Sequence, residues 1–351
     1  MHDGRGGLEH TNSMTVFSGS GSFSSPEGYK RWLDFIAHEF FHLYNVKTIR
    51  PIALGPFDYD RENYTKMLWF SEGVTSYYEN LILNRAGIYS REEVLRELRN
   101  SIAGFENIPG KKYQSAAQAS FDAWIYFLNR SENALNTTIS YYDKGCAIGM
   151  LLDLAIRHET GNRKSLDDVM RSLYQVYYKG KMRGFTDEEF RETCEKTAGK
   201  ALDEIFDIYV TTTGDIDYNK YLGYAGLSID TNTVNSTGQW IGITTNENDG
   251  ILAVTSVERD SPAYFAGLSA RDVITEINGS KASVSLLNDV LKKAGPGDKI
   301  KITATHRNIT NTMEIEPGKS PVRSFEIKPL PDPGKEQIDL LNRWLIEKKI
   351  P

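Results

Sequence analysis

The sequence predicts a multidomain chain: a mostly α-helical body over residues 25–220, then a small α+β domain over residues 226–320. Three observations carry this prediction. Apolar residues recur at helical spacing in successive segments between Ser25 and Val210. Near residue 220 the texture changes to short β-rich runs punctuated by Asp, Asn, Thr and Gly. The length, 351 residues, exceeds the usual single domain of about 100–150 residues.

Residues 1–24 are rich in Gly, Ser and Thr and read as strand or loop. Ser25-Pro26-Glu27 is a helix start, with Ser as N-cap and Pro at the first helical position. The helical pattern, carried by Trp32, Leu33, Ile36 and Phe40, runs through Val46, and Pro51 closes the segment. A second helix is expected over 69–86, ended by Gly87. Further helices are expected over 90–104, 116–128, 141–159, 165–178, 186–197 and 201–210. The β runs are Gly238–Ile243, Ile251–Val257, Val273–Ile277, Ile300–Thr305 and Thr312–Ile315, with one helix over 283–294. Residues 329–351 read as a linker followed by an amphipathic tail helix over 335–349.

Composition removes several classes of function. The net charge of −6 argues against nucleic acid as the main partner. No run approaches the roughly 18 apolar residues of a membrane span. Two cysteines, Cys146 and Cys194, are too few for a disulfide scaffold or a thiolate metal cluster. The first seven residues show no charged-then-apolar signal pattern, and localisation, cytoplasmic or periplasmic, stays open.

His38-Glu39-Phe40-Phe41-His42 is the strongest chemical signal. Histidines four apart project from one helix face and can grip one zinc ion through both imidazoles. Glu39 then stands beside the open position, where a carboxylate takes a proton from attacking water and passes it to a leaving amine. Six histidines and 47 acidic residues give roughly 0.014 chance matches to such a pattern, which disfavours two ordinary helix histidines. Glu72, in Trp69-Phe70-Ser71-Glu72-Gly73, is the candidate third ligand; alone it reads equally as a carboxylate in a first helical turn.

These segments, with Val74-Thr75-Ser76-Tyr77-Tyr78 following, resemble the gluzincin metallopeptidases, and closely the PDZ-containing glycyl aminopeptidase family. Gly6-Gly7-Leu8-Glu9-His10 resembles that family's exopeptidase segment, and Tyr142-Asp143-Lys144-Gly145 its segment downstream of the metal site. The resemblance implies a thermolysin-like catalytic domain holding one zinc ion per chain on His38, His42 and Glu72. It implies that Glu9, with Gly7 beside it, binds the substrate's free α-amino group. Tyr142 is the implied donor to the developing oxyanion, with Tyr141 as its adjacent rival; Lys144 reads as a supporting residue or a solvated helix charge. An insertion rich in Tyr, Asp and Pro over residues 51–66 separates His42 from Glu72, as in the glycyl aminopeptidases. Family members carry a further N-terminal β-rich domain, so residues 1–24 are expected to be its remnant and the chain to be truncated.

The second domain resembles a PDZ domain. Trp240-Ile241-Gly242-Ile243 matches the carboxylate-binding loop, where backbone N–H groups meet a peptide's terminus. The groove is expected to involve Ile241, Gly242, Ile243 and Leu287, with Val284 and Val290 on the same helix. It either binds a C-terminal peptide or packs against the catalytic domain. The expected function is a zinc aminopeptidase acting on peptides with a free N-terminus and releasing small first residues, Gly or Ala. The alternatives are a zinc endopeptidase with the same metal site, and an inactive fragment serving as a peptide-binding PDZ module.

Overall fold

The computed structural model describes residues 6–127, 129–231 and 239–347. Residues 1–5, the C-terminal end of the expected 116–128 helix, Gly238 and the last residues of the expected tail lie outside that set. The chain opens with a hairpin, β1 (Gly6–Glu9) against β2 (Met14–Phe17), with Glu9 opposite Met14. The helical body follows: α1 (Pro26–Phe41), α2 (Thr75–Arg85), α3 (Arg91–Glu106), α4 (Ala116–Phe121), α5 (Ala123–Tyr126) and α6 (Ala134–Thr137). It continues with α7 (Tyr141–Glu159), α8 (Leu166–Leu173), α9 (Asp187–Ala198) and α10 (Tyr218–Tyr224), and leads into β3 (Leu227–Asp230).

The second domain comprises β4 (Gln239–Trp240), β5 (Ile243–Asn248), β6 (Ile251–Val257), α11 (Pro262–Phe265), β7 (Val273–Ile277) and β8 (Ser280–Lys281). Then come α12 (Val284–Lys293), β9 (Ile300–His306), β10 (Ile309–Ile315) and β11 (Gly318–Lys319). Its main sheet runs β10-β9-β7-β6-β5, with β8 beside β7 and β5 at one edge. The chain returns to the helical body through β12 (Glu326–Pro329), antiparallel to β3, and ends in α13 (Lys335–Trp344).

Local chemistry explains where the elements start. The Ser25 hydroxyl accepts from Gly28 N–H at 3.0 Å, capping α1. Ser90 and Glu93 close a capping box on α3, and Thr186 and Glu189 do so on α9. Helix α7 is the hub of the body, buried without interruption from Lys144 to Arg157. It can lie this deep because Gly73 and Gly145 face one another: a Cβ on Gly73 would stand closer than 3.0 Å to the Gly145 Cα.

Several expectations are corrected. Helix α1 stops at Phe41 rather than Val46, because residues 42–45 turn to bring Asn45 under the next helix. The 116–128 segment breaks at Asp122, which leaves helical dihedrals. The 69–86, 165–178 and 201–210 segments contain π-helical stretches over Trp69–Val74, Tyr174–Lys181 and Glu204–Val210. The run expected over Gly238–Ile243 is interrupted at Ile241 and Gly242, where Gly242 adopts φ +80°. The expected C-terminal linker and tail belong physically to the helical body. Trp344 and Leu345 are buried in its core, and Trp344 Nε1–H donates to Tyr77 Oη at 2.7 Å. Tyr77 in turn donates to Asp153 of α7. Lys144 is not a solvated charge: it is fully buried, its Nζ donating to the Thr212 carbonyl at 3.2 Å and lying over the Phe105 ring.

The α+β domain is held to the body by specific polar contacts. The Asn136 amide donates to Val257 O at 2.8 Å and accepts from Arg259 N–H at 2.7 Å. Asn107 makes the same paired exchange with the backbone of Arg323.

Candidate metal centre

Helix α1 ends at the site. Its i, i+4 spacing places His38 and His42 on one face, with ring centroids 4.7 Å apart. Each ring is oriented by its Nδ1. His38 Nδ1–H donates to Glu79 Oε2 at 2.6 Å, and His42 Nδ1–H donates to the Asn45 carbonyl at 2.7 Å. Both Nε2 atoms are thereby aimed at Glu72 Oε2, at 3.3 Å each. Among the described residues, His38, His42 and Glu72 form a group whose ligand atoms lie within 4.8 Å of one another. Donors 2.0–2.1 Å from a tetrahedral zinc ion stand about 3.3 Å apart, so the set fits that ion. A carboxylate and a backbone carbonyl behind the two imidazoles are what metal-binding histidines ordinarily have.

Charge at the site follows from this geometry. Burial opposes ionisation of Glu72, but hydrogen bonds from His38 and His42 hold its pKa well below the usual carboxylate range. Burial lowers the His38 and His42 pKa values, and the bonds to Glu72 and Glu79 outweigh it and raise them. Glu39 is pushed up by burial, against the pull of both imidazoles. Its Oε2 is buried without a hydrogen-bond partner, an orphan acceptor where a proton-carrying ligand is expected.

The other predicted residues fall around this set. Glu9 on β1 forms a second group with Glu39 and His42, their ligand atoms within 4.8 Å, and pairs with Lys47 Nζ at 2.9 Å. Gly7 is pressed against Glu39: a Cβ there would collide with the Glu39 carboxylate. Tyr142, at the start of α7, stacks on His38 with centroids 6.1 Å apart, and burial, with the Glu72 carboxylate nearby, raises its pKa. Tyr141 is buried and stacks on Tyr142, with ring centroids 4.9 Å apart. Most of the expected groove residues of the second domain are buried. Ile241 and Leu287 are core side chains at 2% and 5% exposure, Gly242 is buried, and only Ile243 is half-buried at the sheet edge.

Three supporting residues escaped the sequence reading. Glu79 lies two helical turns beyond Glu72, and that i, i+7 spacing was an available signal. Asn45 is fully buried and donates to Phe70 O and Thr75 Oγ1, tying the turn after α1 to the Glu72 segment; Asn in a post-helix turn gives no such signal. The Lys47–Glu9 pair joins residues far apart in sequence.

Residues 31–148 match the family described as M61 glycyl aminopeptidase, and residues 240–316 match the PDZ domain. The chain carries an M61 glycyl aminopeptidase domain and a PDZ domain. The crystal structure of an aminopeptidase N family protein from Idiomarina loihiensis superposes with a TM-score of 0.84 at 28% identity. That match covers 98% of this chain and 60% of the other. Among curated relatives, a probable CtpA-like serine protease of Staphylococcus saprophyticus is 24% identical over 200 residues, covering 53% of this chain and 37% of that protein. Its namesake in Staphylococcus haemolyticus is 27% identical over 167 residues, covering 47% and 30%. The chain thus spans about a third of the length of the curated relatives it matches. The M61 match and the structural neighbour agree on a mostly helical aminopeptidase-type domain preceding the PDZ domain, and on the peptidase class. The M61 match encloses His38, Glu39, His42, Glu72 and Tyr142, while Glu9 lies N-terminal to it.

Proposed function

We propose that the M61 domain is a zinc aminopeptidase that removes the first residue from peptides with a free N-terminus. The observation that carries this is the convergence of His38 Nε2, His42 Nε2 and Glu72 Oε2, with Glu39 and Glu9 beside them. A zinc ion on those three donors supplies Lewis acidity for the scissile carbonyl and lowers the pKa of attacking water towards 7. Glu39 takes the water's proton and delivers it to the departing amine nitrogen, a role favoured by its burial-raised pKa. Tyr142 Oη–H donates to the developing oxyanion, and stacking on His38 and Tyr141 holds its ring in place. Glu9 pairs with the ammonium group, setting the distance from the terminus to the scissile bond. The family resemblance assigns Gly and Ala as released residues, and the PDZ domain serves as a peptide-binding module.

The serine-protease names of the curated relatives raise a different catalytic type. A serine triad needs an imidazole nitrogen facing a hydroxyl. Here His38 presents its two nitrogens to Glu79 and Glu72, and His42 presents its own to Asn45 O and Glu72. That arrangement favours the metallopeptidase. The test is Glu39→Gln, with zinc counted per chain and turnover measured on free and N-acetylated peptides. The expected outcome is one zinc in both proteins, loss of at least about a hundredfold in kcat for the variant, and selectivity for the free amine. Unchanged turnover in Glu39→Gln, or sensitivity to serine reagents with no zinc bound, rejects the proposal.

A further inference from the structure

Between the M61 domain and the PDZ domain lies a cleft of about 480 Å³, within the size range of small-ligand pockets. One wall comes from the end of α3 and the turn after it, through Tyr113. The other comes from Trp240 of β4, the turn after β6, and β11 with the residues that follow it. None of His38, Glu39, His42, Glu72 or Tyr142 lines it, and neither β5 nor α12 contributes a side chain. Basic groups outnumber acidic ones there: Lys111, Lys112, Arg259, Lys319 and Arg323 stand against Glu106, Glu258 and Asp260. The whole chain carries a net charge of −6, so the positive excess is a local feature.

Three of the five cations are already held in place. Lys111 Nζ donates to Glu106 Oε2 at 2.6 Å, Arg323 Nη2 donates to the same oxygen at 3.0 Å, and Arg259 Nη1 donates to Tyr113 Oη at 2.8 Å. Lys112, on the M61 wall, and Lys319, on β11 of the opposite wall, are exposed and form no ion pair among the described residues. Like charges gathered in one cleft repel one another, and an anion between the walls relieves that repulsion. We propose that this cleft binds a short acidic peptide segment, whose carboxylates meet Lys112 on one wall and Lys319 on the other. The rest of the lining decides the class of ligand. Glu106, Glu258 and Asp260 repel a polyphosphate, whose charge exceeds what two free lysines neutralise. Ile108, Pro109, Trp240 and Pro321 give a peptide apolar surface to cover between its carboxylates. The segment bridges the two domains, because each supplies one of the free lysines. This site is independent of the peptidase reading.

The test titrates the full chain by calorimetry with tetraglutamate acetylated at its N-terminus and amidated at its C-terminus. The blocked ends leave it no free amine for Glu9 and no terminal carboxylate for a PDZ loop. The comparison probes are the equally blocked tetraglutamine and inorganic triphosphate. Tetraglutamate is expected to bind at least about tenfold tighter than tetraglutamine, and more weakly as salt is raised. The double variant Lys112→Glu with Lys319→Glu is expected to lose at least about tenfold in that affinity, and Lys112→Arg with Lys319→Arg to stay within about threefold of the parent. Lys196→Glu with Lys335→Glu makes the same change in net charge on exposed positions away from the cleft and is expected to leave the affinity unchanged. Equal affinity for the two peptides overturns the proposal, as does an equal loss in both charge-reversal variants, which assigns the binding to net charge alone. Triphosphate binding more tightly than tetraglutamate, with loss in the Lys112→Glu, Lys319→Glu variant, makes the cleft a phosphate site and overturns the peptide assignment.

Discussion

Gly73 and Gly145 meet with backbone against backbone, and this close approach joins the segment that carries Glu72 to the first turns of α7, which carry Tyr142. A Cβ on Gly145 would stand closer than 3.0 Å to the Trp69 carbonyl, and one on Gly73 closer than 3.0 Å to the Gly145 Cα. Neither obstacle is a flexible side chain, so relief requires the helices to separate. Gly145→Ala is expected to destabilise the body by about 1–3 kcal/mol and to weaken zinc binding by displacing Glu72. Urea unfolding together with zinc content checks both, and a variant with unchanged midpoint and full zinc contradicts the argument.

Glu79 Oε2 lies 2.6 Å from His38 Nδ1 and fixes the tautomer and direction of that ring. Glu79→Ala is expected to lower zinc affinity roughly 10–100-fold while the helical circular dichroism is retained. Competition with a chelator of known affinity measures this. An affinity within twofold of the parent assigns the carboxylate to packing alone.

The C-terminal helix offers a sharp contrast between a tail and a core element. Trp344 is 1% exposed and bonded to Tyr77, the backbone of Ile346 exchanges two bonds with Asn84, and Leu345 O accepts from Arg91. Trp344→Ala is expected to cost about 3–5 kcal/mol, as for an interior aromatic, measured by chemical denaturation. A loss under about 0.5 kcal/mol is the value for a surface tail.

Lys144 gives a pH signature. Burial lowers its pKa to about 8, against the pull of Glu106, whereas in the unfolded chain it titrates near 10.4. Between those values the folded state binds fewer protons than the unfolded one, so this residue makes stability rise with pH across that window. Lys144→Met removes the contribution. From pH 8 to pH 9.5 the parent is expected to gain about 1.5 kcal/mol relative to the variant. Parallel stability curves over that range show that the amine is not desolvated.

Much of the site was legible because its determinants are local. The i, i+4 spacing of His38 and His42 needs only helical geometry, and Glu39 between them follows from the same turn. Glu72 and Tyr142 were legible only as parts of an ordered set of segments, since a lone carboxylate or tyrosine carries no information about what it faces. The choice of Tyr142 over Tyr141 rested on an offset; in the fold it is Tyr142 that stacks on His38, while Tyr141 is the more buried ring.

The sequence by itself determined the two-part architecture, most helix positions, and the helix that carries His38, Glu39 and His42 on one turn, because periodicity, caps and short spacings act over a few residues. Tertiary structure alone decided that the C-terminal helix completes the first core, that Lys144 lies in the interior, and that the Ile241 and Leu287 side chains pack in the PDZ core. It also decided that Glu79 and Asn45 bond the His38 and His42 rings and that Lys47 pairs with Glu9. These depend on which surfaces meet across up to hundreds of residues of chain, and burial, unlike spacing, is a property of the assembled molecule.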